Sequence, residues 1–391
     1  MSRLLEPVTL GDSIQLRNRI CMGAMTRNRC IDDNKPTSAN AKYYADRARD
    51  GAGLIVAEGT FVYYNGAEWP HAPVMFNHDH AEAWKKVTDA VHDVQGKIFF
   101  QPWHPDIRAG RIQNDNMPML KEHNYPVYAP SKIPATGGKF HSLEGCPGYT
   151  TNITEIGDPK FIVEQYKNSV TLAKLAGFDG IELLAQGFLC SRANNRTDAY
   201  GGSVENRCRF PLEVLDAIID VWGPRHVGIK ICPSDDLNDS IMSYEELTEV
   251  YEYFIPQLVQ RKLAYINISR RGCHPEKGQD GSIRPHFRPK GFGLPDHWEP
   301  LRQFGNLVKY PGSETMLMVN HEYTVEEAEL LVNEGKIDLV TFGRPFIYNP
   351  DLIARIAQKK SLAVSDRGKH VNYGPYKTVD EFYNDWPRIS T

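Results

Sequence analysis

Eight short apolar segments, separated mostly by stretches with helical periodicity, constrain the fold of this 391-residue chain more than any other feature. Several of these segments are rich in β-branched residues, as the strands of a buried parallel sheet usually are. The predicted strands are Arg19–Met25, Leu54–Ala57, Lys97–Gln101, Asp179–Leu184, Val227–Cys232, Ala264–Ser269, Thr315–Val319 and Asp338–Phe342. Eight strand–helix alternations favour an α/β fold of the (β/α)8 or TIM-barrel type over a doubly wound sheet.

Helix-like segments between the strands support the same architecture. They are predicted at Asp79–Gln95, Glu155–Ala176, Ser203–Trp222, Ser243–Arg261, Thr324–Glu334 and Asp351–Lys359. Ser203, Ser243 and Thr324 stand where N-caps are expected, because their side-chain oxygens can accept hydrogen bonds from the first helical turn. We expect residues 1–391 to form a single domain.

Two long segments interrupt the alternation. Pro102–Thr154 follows the third predicted strand, and Arg270–Pro295 follows the sixth. Both begin at the carboxyl ends of strands, where barrel active sites are built. Loops of this length commonly form lids or substrate walls, and the alternative is that they decorate the surface.

Charge and cysteine usage exclude several classes of protein. Lys and Arg total 45 against 49 Asp and Glu, a net charge of −4 that gives no support to a nucleic-acid partner or a polybasic membrane patch. No transmembrane helix or secretory signal is expected. The seven cysteines are scattered without a Cys-x-x-Cys pair, which favours reduced thiols in a cytoplasmic protein.

No metal site is predicted. Three histidines lie close together in the sequence, His71, His78 and His80, but they lack a partnering carboxylate on a clear helix.

Two segments have highly specific sequences. Asn194–Arg207 reads NNRTDAYGGSVENR, and Phe342–Ile347 reads FGRPFI. Both closely resemble signatures of the Old Yellow Enzyme family, whose members are FMN-dependent ene-reductases on a (β/α)8 barrel. The resemblance covers nearly the whole chain, beginning with Leu16–Arg27 as the family's first strand.

The resemblance implies a set of flavin contacts. Thr26 matches the residue that hydrogen-bonds a flavin carbonyl, and Gln101 matches the glutamine that relatives direct at the flavin pyrimidine. If FMN is retained, the implied cofactor-binding residues are Ala24, Met25, Thr26, Gly59, Gln101, Lys230, Gly343 and Arg344.

The positions that activate the substrate depart from the family pattern. Relatives polarise an enone carbonyl with two donors, a His and a His or Asn. Here Leu184 stands near the first donor and Gln186 near the second, and leucine cannot donate. Phe188 takes the place of the tyrosine that protonates the α-carbon, and it has no proton to give.

The positions that hold FMN also differ. Lys230 replaces an arginine that faces the flavin, which keeps the charge but loses the planar fork. His321 and Glu322 replace a Gly-Gly or Gly-Asn pair whose backbone N–H groups bind the phosphate. A carboxylate there would repel the phosphate by roughly 3 kcal/mol at about 5 Å and an effective dielectric of about 20. We hypothesise that Glu322 pairs with Arg344 in place of the phosphate; the alternative is that Glu322 turns to solvent.

These departures favour a flavin-independent, non-redox enzyme of natural-product biosynthesis. It would catalyse an isomerisation, cyclisation or pericyclic step on a bulky, apolar, unsaturated substrate, and no cofactor is predicted. The catalytic candidates are Lys230, Glu322, His104 and Gln186, with a structural role as the alternative for the histidine. The predicted substrate pocket is lined by Trp103, Phe188, Tyr63, Tyr64, Leu184 and Met25.

Two other functions remain open. The chain could be an FMN- and NADPH-dependent ene-reductase or isomerase that tolerates these changes, as the retained Thr26, Gln101 and Arg344 would allow. It could also be a catalytically silent binding protein, although no positive feature of the sequence supports this. In each case the partner is a small molecule, and the protein is expected to be a monomer or a homodimer.

Overall fold

Eight parallel strands close into a barrel in the computed structural model of the chain. We number them β1 Ile20–Met22, β2 Leu54–Val56, β3 Ile98–Phe100, β4 Gly180–Leu184, β5 Val227–Ile231, β6 Tyr265–Ser269, β7 Met316–Asn320 and β8 Leu339–Phe342. Each strand pairs with its neighbours in the chain, and β8 pairs with β1 to complete the ring. The predicted (β/α)8 architecture is confirmed, and each strand lies within its predicted segment or within one residue of it.

The structure describes most of the chain. The described residues are 2–31, 33–66, 70–104, 125–133, 153–185, 187–235, 240–270, 276–277, 283–284, 288–364 and 376–389. The two predicted long loops lie largely outside these residues, so their role as lids stays a prediction.

Helices alternate with the barrel strands. The described helices are α1 Ser38–Arg49, α2 His78–His92, α3 Lys160–Leu175, α4 Val204–Trp222, α5 Tyr244–Gln260, α6 Pro300–Val308, α7 Val325–Asn333, α8 Arg344–Tyr348 and α9 Leu352–Ala357. The three predicted N-caps are confirmed: Ser203, Ser243 and Thr324 each accept a first-turn N–H at 3.1–3.3 Å. The predicted start of α3 at Glu155 is wrong, because Ile153–Glu155 pairs with Val127–Ala129 as a strand.

The amino-terminal end of the barrel is plugged. A hairpin of strands Val8–Leu10 and Ile14–Leu16 packs its apolar side chains against the barrel interior. The interior cluster comprises Leu10, Ile14, Leu16, Cys21, Leu54, Val56, Phe99, Ala264, Tyr265, Met318 and Leu339. Burying these apolar side chains stabilises the fold and leaves the carboxyl ends of the strands for a site.

The C-terminal segment 376–389 covers α1 and the loop after β1. Arg29 Nη1 donates to the carbonyl oxygen of Val379 at 2.8 Å, and the rings of Tyr43 and Tyr383 stack at 4.1 Å. These contacts anchor the end of the chain beside the carboxyl end of β1. In the part of the chain that the structure describes, no helix is both long and apolar enough to cross a membrane.

Candidate active site

The loop after β7 has an unusual backbone. His321 and Glu322 have φ values of +74° and +64°, in the left-handed region that glycine adopts most easily. The backbone therefore keeps a conformation suited to glycine while carrying two side chains. Each non-glycine residue held there costs about 1–3 kcal/mol unless its surroundings compensate.

Arg344, at the start of α8, faces both side chains of this loop. Its Nη2 lies 3.8 Å from Glu322 Oε1 and 3.5 Å from His321 Nε2. The Glu322 side chain is 12% exposed, so it does not extend into solvent, and the Arg344 side chain is 44% exposed. The hypothesised pairing of Glu322 with Arg344 therefore agrees with this geometry, at the long end of ion-pair distances.

Arg270 fixes the same loop from the end of β6. Its Nη1 donates to the carbonyl oxygen of Glu322 at 3.2 Å, and its Nη2 to Glu327 at 3.2 Å. Its Nε lies 3.0 Å from Glu299, and its guanidinium carbon lies 3.7 Å from the centre of the Tyr323 ring. Burial raises the pKa of Tyr323 to about 12, so the phenol stays neutral beneath this cation. The sequence analysis missed Arg270, because no local pattern joins the end of β6 to the loop after β7.

The residues that would lie against a flavin ring come from the end of β1. Ala24, Met25 and Thr26 are half-buried. A Cβ added to Gly343 would lie 3.5 Å from Met25 Sδ, so Met25 packs against the loop after β8. With the described residues, the Thr26 hydroxyl makes no hydrogen bond.

Gln101 points its amide into the barrel. Its Nε2 donates to Oε1 of Glu182 at 2.9 Å, and Glu182 is 1% exposed. Oε2 of the same carboxylate accepts from the Tyr265 hydroxyl at 3.0 Å and from Asn267 Nδ2 at 3.2 Å. Buried groups of this kind are stable only when hydrogen-bonded, and this carboxylate has three donors.

Gly59 lies beside Gln101 and Trp103. A Cβ at Gly59 would lie 2.6 Å from Trp103 Cε3 and 3.4 Å from Gln101 Oε1. A glycine is therefore required here by the indole ring, whatever ligand the site takes. Its role as a cofactor contact stays a prediction.

Lys230 lies on the inner face of β5. Lys230 pairs in register with Leu184 of β4. Two residues earlier on the same two strands, Gly228 pairs with Glu182. The lysine is half-buried, and among the described residues its ammonium makes no hydrogen bond or ion pair. Leu184 is 5% exposed and provides an apolar wall beside it.

The aromatic residues predicted to line a pocket separate into two groups. Trp103 stacks on Phe61 with ring centres 4.8 Å apart, and Tyr63 and Tyr64 contact Phe76 edge to face at 4.9 Å. Together with Tyr125, these residues form one cluster near the ends of β2 and β3.

Phe188 lies apart from this cluster. It is 1% exposed and packs against Phe210 of α4 with ring centres 4.3 Å apart. This contact makes it a residue of the main hydrophobic core. A role in binding substrate stays a prediction.

Of the two remaining catalytic candidates, His104 lies among the described residues. His104 is fully buried, and its Nε2 lies 3.3 Å from Asn65 Oδ1. A Cβ at Gly66 would lie 2.6 Å from the His104 ring, so the imidazole fits closely against that glycine. These contacts agree with a structural role for His104, and its catalytic role stays a prediction. Gln186 lies outside the described residues.

A buried carboxyl group that the sequence analysis did not single out lies beneath the loop after β1. Glu58 is fully buried; its Oε2 accepts from the Arg27 backbone N–H at 3.0 Å and its Oε1 from the Tyr44 hydroxyl at 3.3 Å. Desolvation raises its pKa to about 7, although these hydrogen bonds and the Arg27 charge oppose the rise.

One of the histidines near α2 is held by neighbouring oxygen atoms of the protein. The ring of His80 is buried between Asn77 Oδ1, at 2.6 Å, and the carbonyl oxygen of Asp33, at 3.0 Å. No group of three His, Cys, Asp or Glu residues suitable for a metal ion is found in the described ranges.

The two ends of the implied FMN site differ in their fit. At the ring end, Thr26 and Lys230 are half-buried and available, which suits the edge of a flavin. At the phosphate end, the Glu322 carboxylate lies within 3.8 Å of the arginine that would bind the phosphate. Two anions cannot share that arginine without the repulsion given above. In this structure a carboxylate therefore lies beside Arg344, where the family resemblance implies the phosphate of FMN.

Comparison with known proteins places the chain in one family. Residues 3–363 match the model of the NADH:flavin oxidoreductase / NADH oxidase family. The chain is 32% identical to a "Probable flavin mononucleotide-dependent alkene reductase" of Leishmania infantum, over 98% of this chain and 97% of that protein. It is 28% identical to a "Probable inactive dehydrogenase easA" of Claviceps fusiformis, over 99% and 94%. Among solved structures, an old yellow enzyme homologue from Zymomonas mobilis aligns with a TM-score of 0.81 at 28% identity, over 98% of this chain and 99% of that one.

Proposed function

Since this chain belongs to the Old Yellow Enzyme family of NADH:flavin oxidoreductases, we propose that it is a flavin-independent enzyme that rearranges a small unsaturated molecule without net redox change. The substrate would bind at the carboxyl ends of the barrel strands. The reaction would be an isomerisation, cyclisation or pericyclic step of natural-product biosynthesis.

One observation carries the proposal. The Glu322 carboxylate lies 3.8 Å from the Arg344 guanidinium, at the position where the family resemblance implies a phosphate. The loop that holds Glu322 is itself fixed by Arg270, which binds the Glu322 carbonyl oxygen and two further carboxylates. Arg270 thus holds the backbone of the loop from which the Glu322 side chain extends to Arg344.

Lys230 is the residue we propose to act on the substrate. Its half-buried ammonium can donate a hydrogen bond or a proton to a substrate oxygen, so it can stabilise the negative charge that develops when a conjugated carbonyl enolises. An isomerisation removes one proton from carbon and returns one, so it needs no reductant. Once Lys230 has given its proton to the substrate oxygen, its neutral amine can accept the proton that leaves carbon. Leu184 would hold the apolar part of the substrate beside the ammonium. Glu322 is engaged with Arg344, and we propose a role for it in excluding phosphate rather than in proton transfer.

A second candidate is an FMN- and NADPH-dependent alkene reductase. Two observations favour it. Thr26 and Lys230 make no hydrogen bonds with the described residues, so both could contact a flavin ring. One relative is also named a probable flavin mononucleotide-dependent alkene reductase. Under this alternative, Glu322 would have to leave Arg344 when the cofactor binds.

Product analysis tests the choice. The purified protein is incubated with bulky conjugated aldehydes and ketones, with and without added FMN and NADPH, and the products are analysed by mass spectrometry. We expect an isomer of unchanged mass without either cofactor, formed roughly 100-fold more slowly by Lys230→Met. Lys86→Met, a matched change at an exposed lysine of α2, should leave the rate unchanged. A product heavier by two hydrogens, formed only with both FMN and NADPH, would establish the reductase instead.

A further inference from the structure

A cavity outside the barrel lies between three parts of the chain that are far apart in the sequence. It has a volume of about 420 Å³ and is bounded by α1, by Pro350 in the turn between α8 and α9, and by the C-terminal segment 376–389. A cavity of this size can hold a small molecule. Among the described residues, its wall includes four basic side chains and one acidic side chain, which are Lys42, Arg47, Arg49, Arg388 and Asp46.

Helical spacing places three of these residues on one face of α1. Lys42, Asp46 and Arg49 follow each other at intervals of four and three residues, and side chains so spaced are neighbours on a helix. Asp46 forms ion pairs with Lys42 and, at 2.6 Å, with Arg49 Nη1. Arg388 adds a third cation from the C-terminal segment, and its Nη2 lies 3.1 Å from Asp46 and 3.2 Å from Asp50. Three cations therefore share the Asp46 carboxylate, and among the described residues only the last of them has a second one.

Arg47 is the buried part of the wall. It is 1% exposed, and its three nitrogen atoms donate to the backbone carbonyl oxygens of Tyr43, Phe346 and Ile347 at 2.9–3.2 Å. With the described residues it makes no ion pair, although buried charges in proteins are usually paired with an opposite charge. Burial lowers the pKa of this guanidinium from its ordinary value, so an anion in the cavity would lie beside a cation that lacks a counter-charge.

The cations of the wall also keep donors for a ligand. The side chains of Lys42 and Arg49 are 55% and 51% exposed, and each is bound to a carboxylate through only one of its nitrogen-bound hydrogens. Even when Asp50 is counted with Asp46, four cations face two carboxylates, which leaves a net charge of +2 around the cavity.

We propose that this cavity is a binding site for a small anion with at least two negative charges, either a phosphate ester or a di- or tricarboxylate. Guanidinium groups bind both kinds of oxyanion through paired N–H donors. Such an anion would hold α1, the turn after α8 and the C-terminal segment together. The site lies outside the barrel, so the inference is independent of the proposed function.

Titration calorimetry with sodium pyrophosphate and with sodium citrate, at matched ionic strength, tests the inference. We expect the wild-type protein to bind one anion per chain with a Kd of roughly 0.1 mM or lower. The double variant Lys42→Met/Arg49→Met should bind at least about tenfold more weakly, because two charged donors are lost. Both positions are half-exposed, so the variant should fold, and its thermal unfolding without anion checks this. Binding of pyrophosphate alone identifies a phosphate site, binding of citrate alone a carboxylate site, and binding of both a site that selects for charge.

Two further variants serve as controls. Lys85→Met is matched to Lys42, because Lys85 is also 55% exposed and pairs with Asp89 four residues later on α2. Arg344→Met removes the arginine at the barrel mouth that could itself bind an anion. Both variants should keep the wild-type affinity.

Four results would overturn the inference. They are no binding of either anion by the wild type, unchanged affinity in the double variant, a comparable loss in Lys85→Met, and a loss in Arg344→Met, which would place the anion at the barrel mouth. None of these results depends on which reaction the protein catalyses.

Discussion

The guanidinium of Arg344 lies 3.8 Å from the carboxylate of Glu322, across a loop whose backbone has the left-handed conformation typical of glycine. The loop thus has a backbone suited to glycine and carries a side chain of the same charge sign as phosphate. In the function we propose, Glu322 takes the place of the phosphate on the family fold. Because the backbone shape is kept, two substitutions in this loop should be enough to reverse the change.

Restoring glycines should restore FMN binding. We expect the double variant His321→Gly/Glu322→Gly to bind FMN at least about 100-fold more tightly than the wild type, since a repulsion of roughly 3 kcal/mol is removed. Its φ values suit glycine, so the loop should keep its shape. Flavin fluorescence titration measures the gain.

The matching double alanine variant separates charge from shape. His321→Ala/Glu322→Ala removes the carboxylate but keeps a Cβ at both positions, so its affinity should lie between those of the wild type and the glycine variant. If the glycine variant binds FMN no better than the wild type, Glu322 is not what keeps the phosphate out.

Phe188→Tyr should destabilise the protein without adding a proton donor to the site. The ring packs on Phe210 in the core, so the new hydroxyl would be buried without a ready partner, at a cost of about 1–3 kcal/mol. Urea denaturation measures the loss, with Phe188→Leu as a control that keeps the position apolar. If Phe188→Tyr is as stable as the wild type, the ring edge faces an open site instead.

The stability of the protein should fall with rising pH because of Glu58. Its folded-state pKa of about 7 exceeds its ordinary value of 4.5, so its contribution is fully present below pH 4.5 and is lost as the pH rises through 7. Above that pH the loss is roughly 3 kcal/mol in the free energy of unfolding.

Glu58→Gln should remove this dependence. The difference in unfolding free energy between the variant and the wild type, measured by denaturation from pH 5 to pH 8, should move in favour of the variant as pH rises. Glu249→Gln, at an exposed position of α5, serves as the control. A difference between Glu58→Gln and the wild type that is constant over this range contradicts the assignment.

The sequence predicted the fold well because the barrel depends on local patterns. Apolar runs with the length of strands, and side chains such as Ser203 that cap the following helix, can be identified from a few neighbouring residues. The hypothesis that Glu322 pairs with Arg344 could also be made from the sequence, because the family signature assigns each residue to a known loop.

The contacts that hold the site residues in place could not be predicted from the sequence. Arg270 binds a carbonyl oxygen of another loop, and Glu182 collects donors from other strands of the barrel. Neither arrangement has a signal in a window of the sequence, because closure of the barrel brings these residues together. The packing of Phe188 on Phe210 could not be predicted for a similar reason, since matching it to a family tyrosine does not tell which way the ring turns.

The most direct test of the central claim is the visible absorption spectrum of the purified wild-type protein, taken before and after dialysis against excess FMN and removal of the unbound flavin. We predict a colourless protein that takes up no FMN. A bound-flavin band near one equivalent per chain, in either sample, would contradict the claim that Glu322 has replaced the phosphate at Arg344.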